Sequence, residues 1–124
     1  MEFRSDCPIS SALDIVGDKW TLLILRDMLF GEKKTFKEFS SSSEHIASGI
    51  LSNRLLKMEE MGLICKSKVP ENKKTVIYSP TEKGKAFLPL LREMILWSDH
   101  YLHDHINEKM KQTASAIRNS RMAN

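Results

Sequence analysis

Residues 46–62 read IASGILSNRLLKMEEMG, and the fold turns on how this stretch is read. Ala47, Leu51, Leu55 and Met58 recur at helical spacing along one face, and Gly62 supplies the stop. The opposite face is unlike that of a plain solvated helix. Where paired glutamates and lysines would be ordinary, it presents Gly49, Ser52, Asn53, Lys57 and Glu60, small or hydrogen-bonding groups with one cation. Leu56 falls on that polar side too.

On the N-terminal side, Thr35 is placed to cap a brief segment, FKEF, that sets Phe36 and Phe39 three apart on one helical face, and the serines at 40–43 form a loop. Before it, Asp18 can cap WTLLILRDMLF (20–30), apolar on most of its circumference and stopped at Gly31, a helix for the centre of a core. Pro8 opens a shorter helix that ends at Gly17. On the C-terminal side, LICKSKV (63–69), PENKK and TVIYS (75–79) read as a β-hairpin. It carries Lys66, Lys68, Lys73 and Lys74 against Glu71, a basic finger, and Cys65 is read as a packing residue in its first strand. Thr81 then caps one long helix, with Glu82 in its first turn, expected to kink at Pro89 and run to His105. Its apolar residues cover more than one face, more than docking on a small domain needs, so part of that surface is expected to meet another subunit. Residues 1–106 are expected to form the domain, and residues 107–124 a polar tail with some helical character.

The 124 residues suit one domain, and 41% hydrophobic with 28% charged side chains excludes a disordered or low-complexity chain. No apolar run approaches the ~20 residues of a membrane span. Glu2, Arg4 and Asp6 precede Pro8, leaving no room there for a secretory core, so a cytoplasmic location is expected. Cys7 and Cys65 are too few for a disulfide scaffold and match no zinc spacing; neither metal nor cofactor is expected. The net charge of +3 is uneven: residues 31–85 carry 11 basic and 7 acidic groups, whereas residues 1–30 carry 3 and 5. No GxSxG, P-loop, HExxH or GxGxxG motif occurs, which argues against an enzyme.

A short helix, a turn, a helix with a small polar outer face and then a basic hairpin give a mainly α fold with a small β-hairpin wing (α+β), the order of a winged helix-turn-helix. A major groove about 12 Å wide admits one helix, and base edges are read by side chains that donate and accept. Ser48, Gly49, Ser52, Asn53 and Lys57 suit that face of double-stranded DNA, with Thr35, Lys68, Lys73 and Lys74 toward phosphates. Asn53 can contact adenine; Arg54 can take guanine, a phosphate or an internal salt bridge. A winged-helix module that binds protein rather than DNA is the other reading.

The segments CPISSALDIVGDKWTLLILRDMLFG, TFKEF, ILSNRLLKMEEMGLI and VIYSPTEKGKAFLPLL, taken in order, resemble the HxlR-type transcriptional regulators, winged-helix proteins related in shape to the MarR regulators. The resemblance spans residues 7–101, with two departures: Leu56 replaces a usually polar residue, and Pro80 interrupts the approach to the last helix. It implies a homodimer joined through the N- and C-terminal helices, which here offer Ile9, Leu13, Leu91, Met94, Ile95, Trp97 and Tyr101, and two such helices would read an inverted repeat. Repression is the expected sign. Cys7 precedes the first helix, where the helix N-terminus and Arg4 would favour a thiolate. The resemblance implies that it senses a small electrophile or oxidant; a buried, inert thiol is the alternative. The group His100, His103, Asp104 and His105 is read as polar decoration, with metal binding or pH sensing as the alternative, and Trp97 and Tyr101 as interface or core aromatics.

Overall fold

The computed structural model describes residues 2–122, apart from the side chain of Lys73. Two compact units make up the chain, Met1–Ala86 and Phe87–Asn124.

The first unit opens with α1 (Pro8–Val16), Pro8 in its first turn and Gly17 as its C-cap. Helix α2 (Thr21–Leu29) follows, started by Asp18 as the sequence suggests. The Asp18 carboxylate accepts the N–H groups of Trp20 (2.9 Å) and Thr21 (3.0 Å) and the Thr21 hydroxyl (2.6 Å). Helix α3 (Phe36–Ser40) begins in a capping box: the Thr35 hydroxyl accepts the Glu38 N–H while Glu38 accepts the Thr35 N–H. Helix α4 (Ser48–Glu60) ends where Gly62 adopts a left-handed φ of 76°, which glycine reaches at no steric cost.

Strands β1 (Ile64–Val69) and β2 (Asn72–Pro80) pair antiparallel about a two-residue turn at Pro70 and Glu71. β2 starts three residues earlier than its β-branched run indicates. The register is regular from Ile64↔Pro80 to Lys68↔Val76 and then jumps to Val69↔Asn72, so an irregularity absorbs the extra residues of β2. The Tyr78 N–H donates to the Lys34 carbonyl (2.7 Å), tying the hairpin to the α2–α3 loop. Cys65 corrects the sequence reading: Ile64 at the start of β1 is buried in the core, whereas Cys65 and the three residues after it are exposed.

The core gathers Val16, Ile24, Leu25, Met28, Phe39, Leu51, Leu55, Met58, Leu63 and Ile64, with the Phe39 ring edge-on to Tyr78. The single long C-terminal helix is also corrected. Thr81 caps only a short α5 (Glu82–Lys85), the chain breaks at Ala86 and Phe87, and α6 (Leu88–Tyr101) begins afresh with Pro89 in its first turn. Proline lacks an N–H and clashes with the carbonyl four residues back, so a first-turn position satisfies it better than a kink. Gly84 in α5 is required by a close approach, because a Cβ there would lie 2.1 Å from the Leu63 carbonyl oxygen.

In the second unit, α6 packs against α7 (Glu108–Met122), a helix over most of the stretch expected to be polar with some helical character. Asn107 caps it by accepting the Met110 N–H (2.9 Å). Leu91 and Ala114 are buried. Arg118 donates to the buried Asp99 carboxylate (2.6 Å), which also meets His103 Nδ1 (3.2 Å), and Arg121 pairs with Glu93.

Candidate nucleic-acid interface

Helix α4 divides cleanly. Leu51, Leu55 and Met58 are buried, while Ser48, Gly49, Ser52, Asn53, Leu56, Lys57 and Glu60 are exposed. Ala47, expected on the apolar face, is exposed because it is the N-cap and precedes the helix proper.

What aims this face is a polar network under the α3–α4 loop. Arg26 on α2 donates to both Glu44 carboxylate oxygens (2.7 and 2.8 Å) and to Asp27 (2.9 and 3.1 Å). Asp27 is buried and accepts the Ser42 hydroxyl, and Ser42 accepts the Lys33 ammonium (3.0 Å). Ser42 and Glu44 are thereby fixed to α2, and with them the entry into α4, where His45 turns the chain through a left-handed φ of 57°. The Arg26 hydrogen bonds hold the Glu44 pKa down, from an ordinary 4.5 to about 2. The unfolded chain therefore binds this proton more readily, so the pair's full contribution is present above pH 4.5 and is lost as pH falls from there toward 2. Replacing Glu44 with Gln is expected to flatten this acid limb of stability, read as the difference in Tm between pH ~5 and pH ~2.5.

Arg54 is turned away from the polar face. It lies three residues after Leu51 and four before Met58, at the margin of the core, and its Nε is 3.5 Å from Asp18 Oδ2. That Nε is buried and has no hydrogen-bond partner among the described residues. Partial burial pushes the Asp18 carboxyl up, but the bonds from Thr21 and Trp20, with Arg54 nearby, outweigh it and leave its pKa below the ordinary value. The ion pair joins the start of α2 to the middle of α4, the geometry of an internal salt bridge, and the Arg54 side chain stays partly exposed.

On the wing, Lys68 and Lys74 are exposed, and Lys66 lies 3.9 Å from Glu59. The expectation for the Lys73 side chain lies outside the described residues. The Thr35 hydroxyl is occupied by the capping box, donating to Glu38 as well as accepting from it. Lys57, Lys68 and Lys74 form no ion pair among the described residues and remain available to phosphates.

Cys7 is exposed, a free thiol at the N-cap of α1. Arg4, expected beside it, is held by Asp14, with Nε 2.5 Å from Oδ1. On α1, Ile9 and Leu13 are exposed one turn apart. On α6, Leu90, Met94, Trp97 and Tyr101 follow at i, i+4, i+7 and i+11 and form one exposed apolar stripe, Trp97 58% and Tyr101 66% accessible. Leu91 is buried within its own chain, Leu90 lies on the exposed stripe, and Ile95 is half-buried. No group of three or more His, Cys, Asp or Glu able to hold a metal ion occurs among the described residues. His103 is engaged with Asp99, and His100 lies edge-on to Tyr101.

Comparison with known proteins agrees with this architecture. The model of the HxlR-like helix-turn-helix family matches residues 15–106. The HTH-type transcriptional regulator YodB of Bacillus subtilis is 33% identical over 96 residues, covering 77% of this chain and 85% of that protein. Its reduced form superposes with a TM-score of 0.63 at 31% identity, over 78% of this chain and 95% of its own. The structure of PA1607 gives a TM-score of 0.73 at 31% identity, over 85% and 70%. The oxidised form of the redox regulator HypR gives 0.67 at 29%, over 76% and 96%. With its buried-in, polar-out α4 and its wing in that family's order, the chain belongs to the HxlR-like helix-turn-helix family of winged-helix transcriptional regulators.

Proposed function

We propose that the chain is a cytoplasmic, homodimeric repressor that lays α4 in the major groove of an inverted-repeat operator, sets its wing on the flanking phosphates, and lets go when Cys7 is oxidised. One observation carries the DNA reading: Ser48, Gly49, Ser52, Asn53 and Lys57 are exposed together while the reverse of the same helix is anchored in the core. A helix so held presents donors and acceptors at fixed positions, as base reading demands. Lys57, Lys68 and Lys74 supply the phosphate contacts, and Arg54 positions α4 through Asp18.

Dimerisation is supported by the stripe Leu90, Met94, Trp97 and Tyr101 on α6 and by Ile9 and Leu13 on α1, apolar surface that one copy leaves in water. Two copies hold two recognition helices about 34 Å apart, one turn of duplex. The redox reading draws on the exposed Cys7 thiol. It also draws on the relatives: HypR is a redox regulator, and YodB has been solved after diamide treatment and with quinone bound. In the proposed switch the Cys7 thiols of the two protomers give up two protons and two electrons to an oxidant such as diamide, which becomes the hydrazine, and join as an intersubunit disulfide. That bond shifts the spacing of the two α4 helices and so the affinity for DNA.

The test is selection of duplexes from a random library, followed by titration of the selected duplex at rising salt. An inverted repeat whose log affinity falls linearly with log salt is the expected result; a protein adaptor would enrich no duplex. Diamide should release the wild type and leave the Cys7→Ser variant bound, and equal release of both would remove Cys7 from the account.

A further inference from the structure

We propose that Leu56 determines specificity by packing its methyl groups on the C5-methyl of a thymine in each half-site. The inference rests on α4 being the helix that meets DNA. Leu56 is 53% accessible, and its side chain is no part of the core, which takes only Leu51, Leu55 and Met58 from this helix. It stands on the outward stripe, since Gly49, Ser52, Asn53 and Leu56 occur at i, i+3, i+4 and i+7. Ile50, the other exposed apolar residue of α4, follows a different line, with Arg54 and Lys57 at i+4 and i+7.

An apolar side chain on a base-reading face has one good partner. Base edges in the major groove are hydrogen-bond donors and acceptors except at the thymine C5-methyl. Set against guanine, cytosine or adenine, Leu56 would strip water from polar atoms and return no bond. Set against thymine, it buries a methyl against a methyl. One residue then both favours thymine and disfavours the other bases.

Gly49 lets the stripe come close. A Cβ there would meet nothing within 4 Å, so the fold itself gives no reason for a glycine in the first turn of α4. Glycine is a poorer helix former than alanine, and its absent side chain leaves the stripe recessed beside Asn53. At ~1.5 Å rise per residue, Leu56 lies about 4.5 Å beyond Asn53 along the axis, one to two steps of a ~3.4 Å base-pair stack. The thymine should therefore fall within two base pairs of the adenine that Asn53 contacts.

The probe is the duplex enriched from a random library by the wild-type protein, remade with deoxyuridine for thymine one position at a time, which removes only the methyl. For the wild type, one thymine per half-site should be sensitive, with affinity falling about 4-fold for one substitution and about 15-fold for both. Leu56→Ala should bind the thymine duplex more weakly by a similar factor and be indifferent to uracil at that position; circular dichroism should find its fold unchanged. The proposal is overturned if the wild type tolerates uracil everywhere, if Leu56→Ala keeps the same uracil penalty, or if the variant binds as tightly as the wild type, which would leave Leu56 as a contact for another protein. Failure of the DNA reading looks different: no duplex is enriched at all.

Discussion

Asp27→Ala should lower the stability of the protein by about 3 kcal/mol, at the lower end of the cost of breaking a buried ion pair, because Arg26 keeps Glu44. Asp27 is buried on α2 and accepts from Arg26 and Ser42, with Lys33 3.9 Å away. Removing its carboxylate leaves the inner side of the Arg26 guanidinium and the buried Ser42 hydroxyl without an anion, and neither can reach water freely. For a domain of this size the loss corresponds to a fall in Tm on the order of 15 °C. Asp27→Asn keeps the shape and an acceptor oxygen and should lose less. A Tm within a few degrees of wild type for Asp27→Ala would mean that the loop leading into α4 is held by something else.

Asn53→Ala should do the reverse, sparing the fold and damaging recognition. Asn53 is exposed and alanine is the better helix former, so stability should stay within about 0.5 kcal/mol of wild type. A bidentate contact to adenine is worth about 1–3 kcal/mol, so with two copies on the operator the affinity should fall by a factor between about 30 and about 20,000. The loss should be concentrated at one A·T pair in each half-site, so that the variant no longer distinguishes that pair from its alternatives. Competition binding with point-substituted duplexes reads this directly. If Asn53→Ala instead loses affinity evenly for every sequence, the residue contacts backbone and not a base edge.

The helix that carries the site was legible because its apolar residues repeat at helical spacing and glycine stops it. The caps at Thr35 and Asp18 were legible because the N–H groups they accept lie three residues on. What the sequence hid depends on distance along the chain. Asp27 meets Ser42 and Arg26 meets Glu44 across 15 and 18 residues, and no periodicity announces such pairs. The Arg54–Asp18 ion pair likewise joins residues far apart in sequence. The break before α6 had a local cause, Pro89, but apolar residues continue through it and favoured one kinked helix. Helix α7 has only Ala114 fully buried and is held by Arg118 and Arg121 on carboxylates of α6, so its polar sequence showed some helical character but not the packing that holds it. Its Asn107 cap was the readable signal.

Amide chemical shifts of the isotope-labelled protein, followed while its selected duplex is titrated in, report the contacting surface residue by residue. The account predicts the largest changes at Ser48, Gly49, Ser52, Asn53, Leu56 and Lys57 on α4, with a second cluster around Lys68 and Lys74 on the wing. Saturable changes that leave α4 untouched would contradict it, whatever affinity accompanied them.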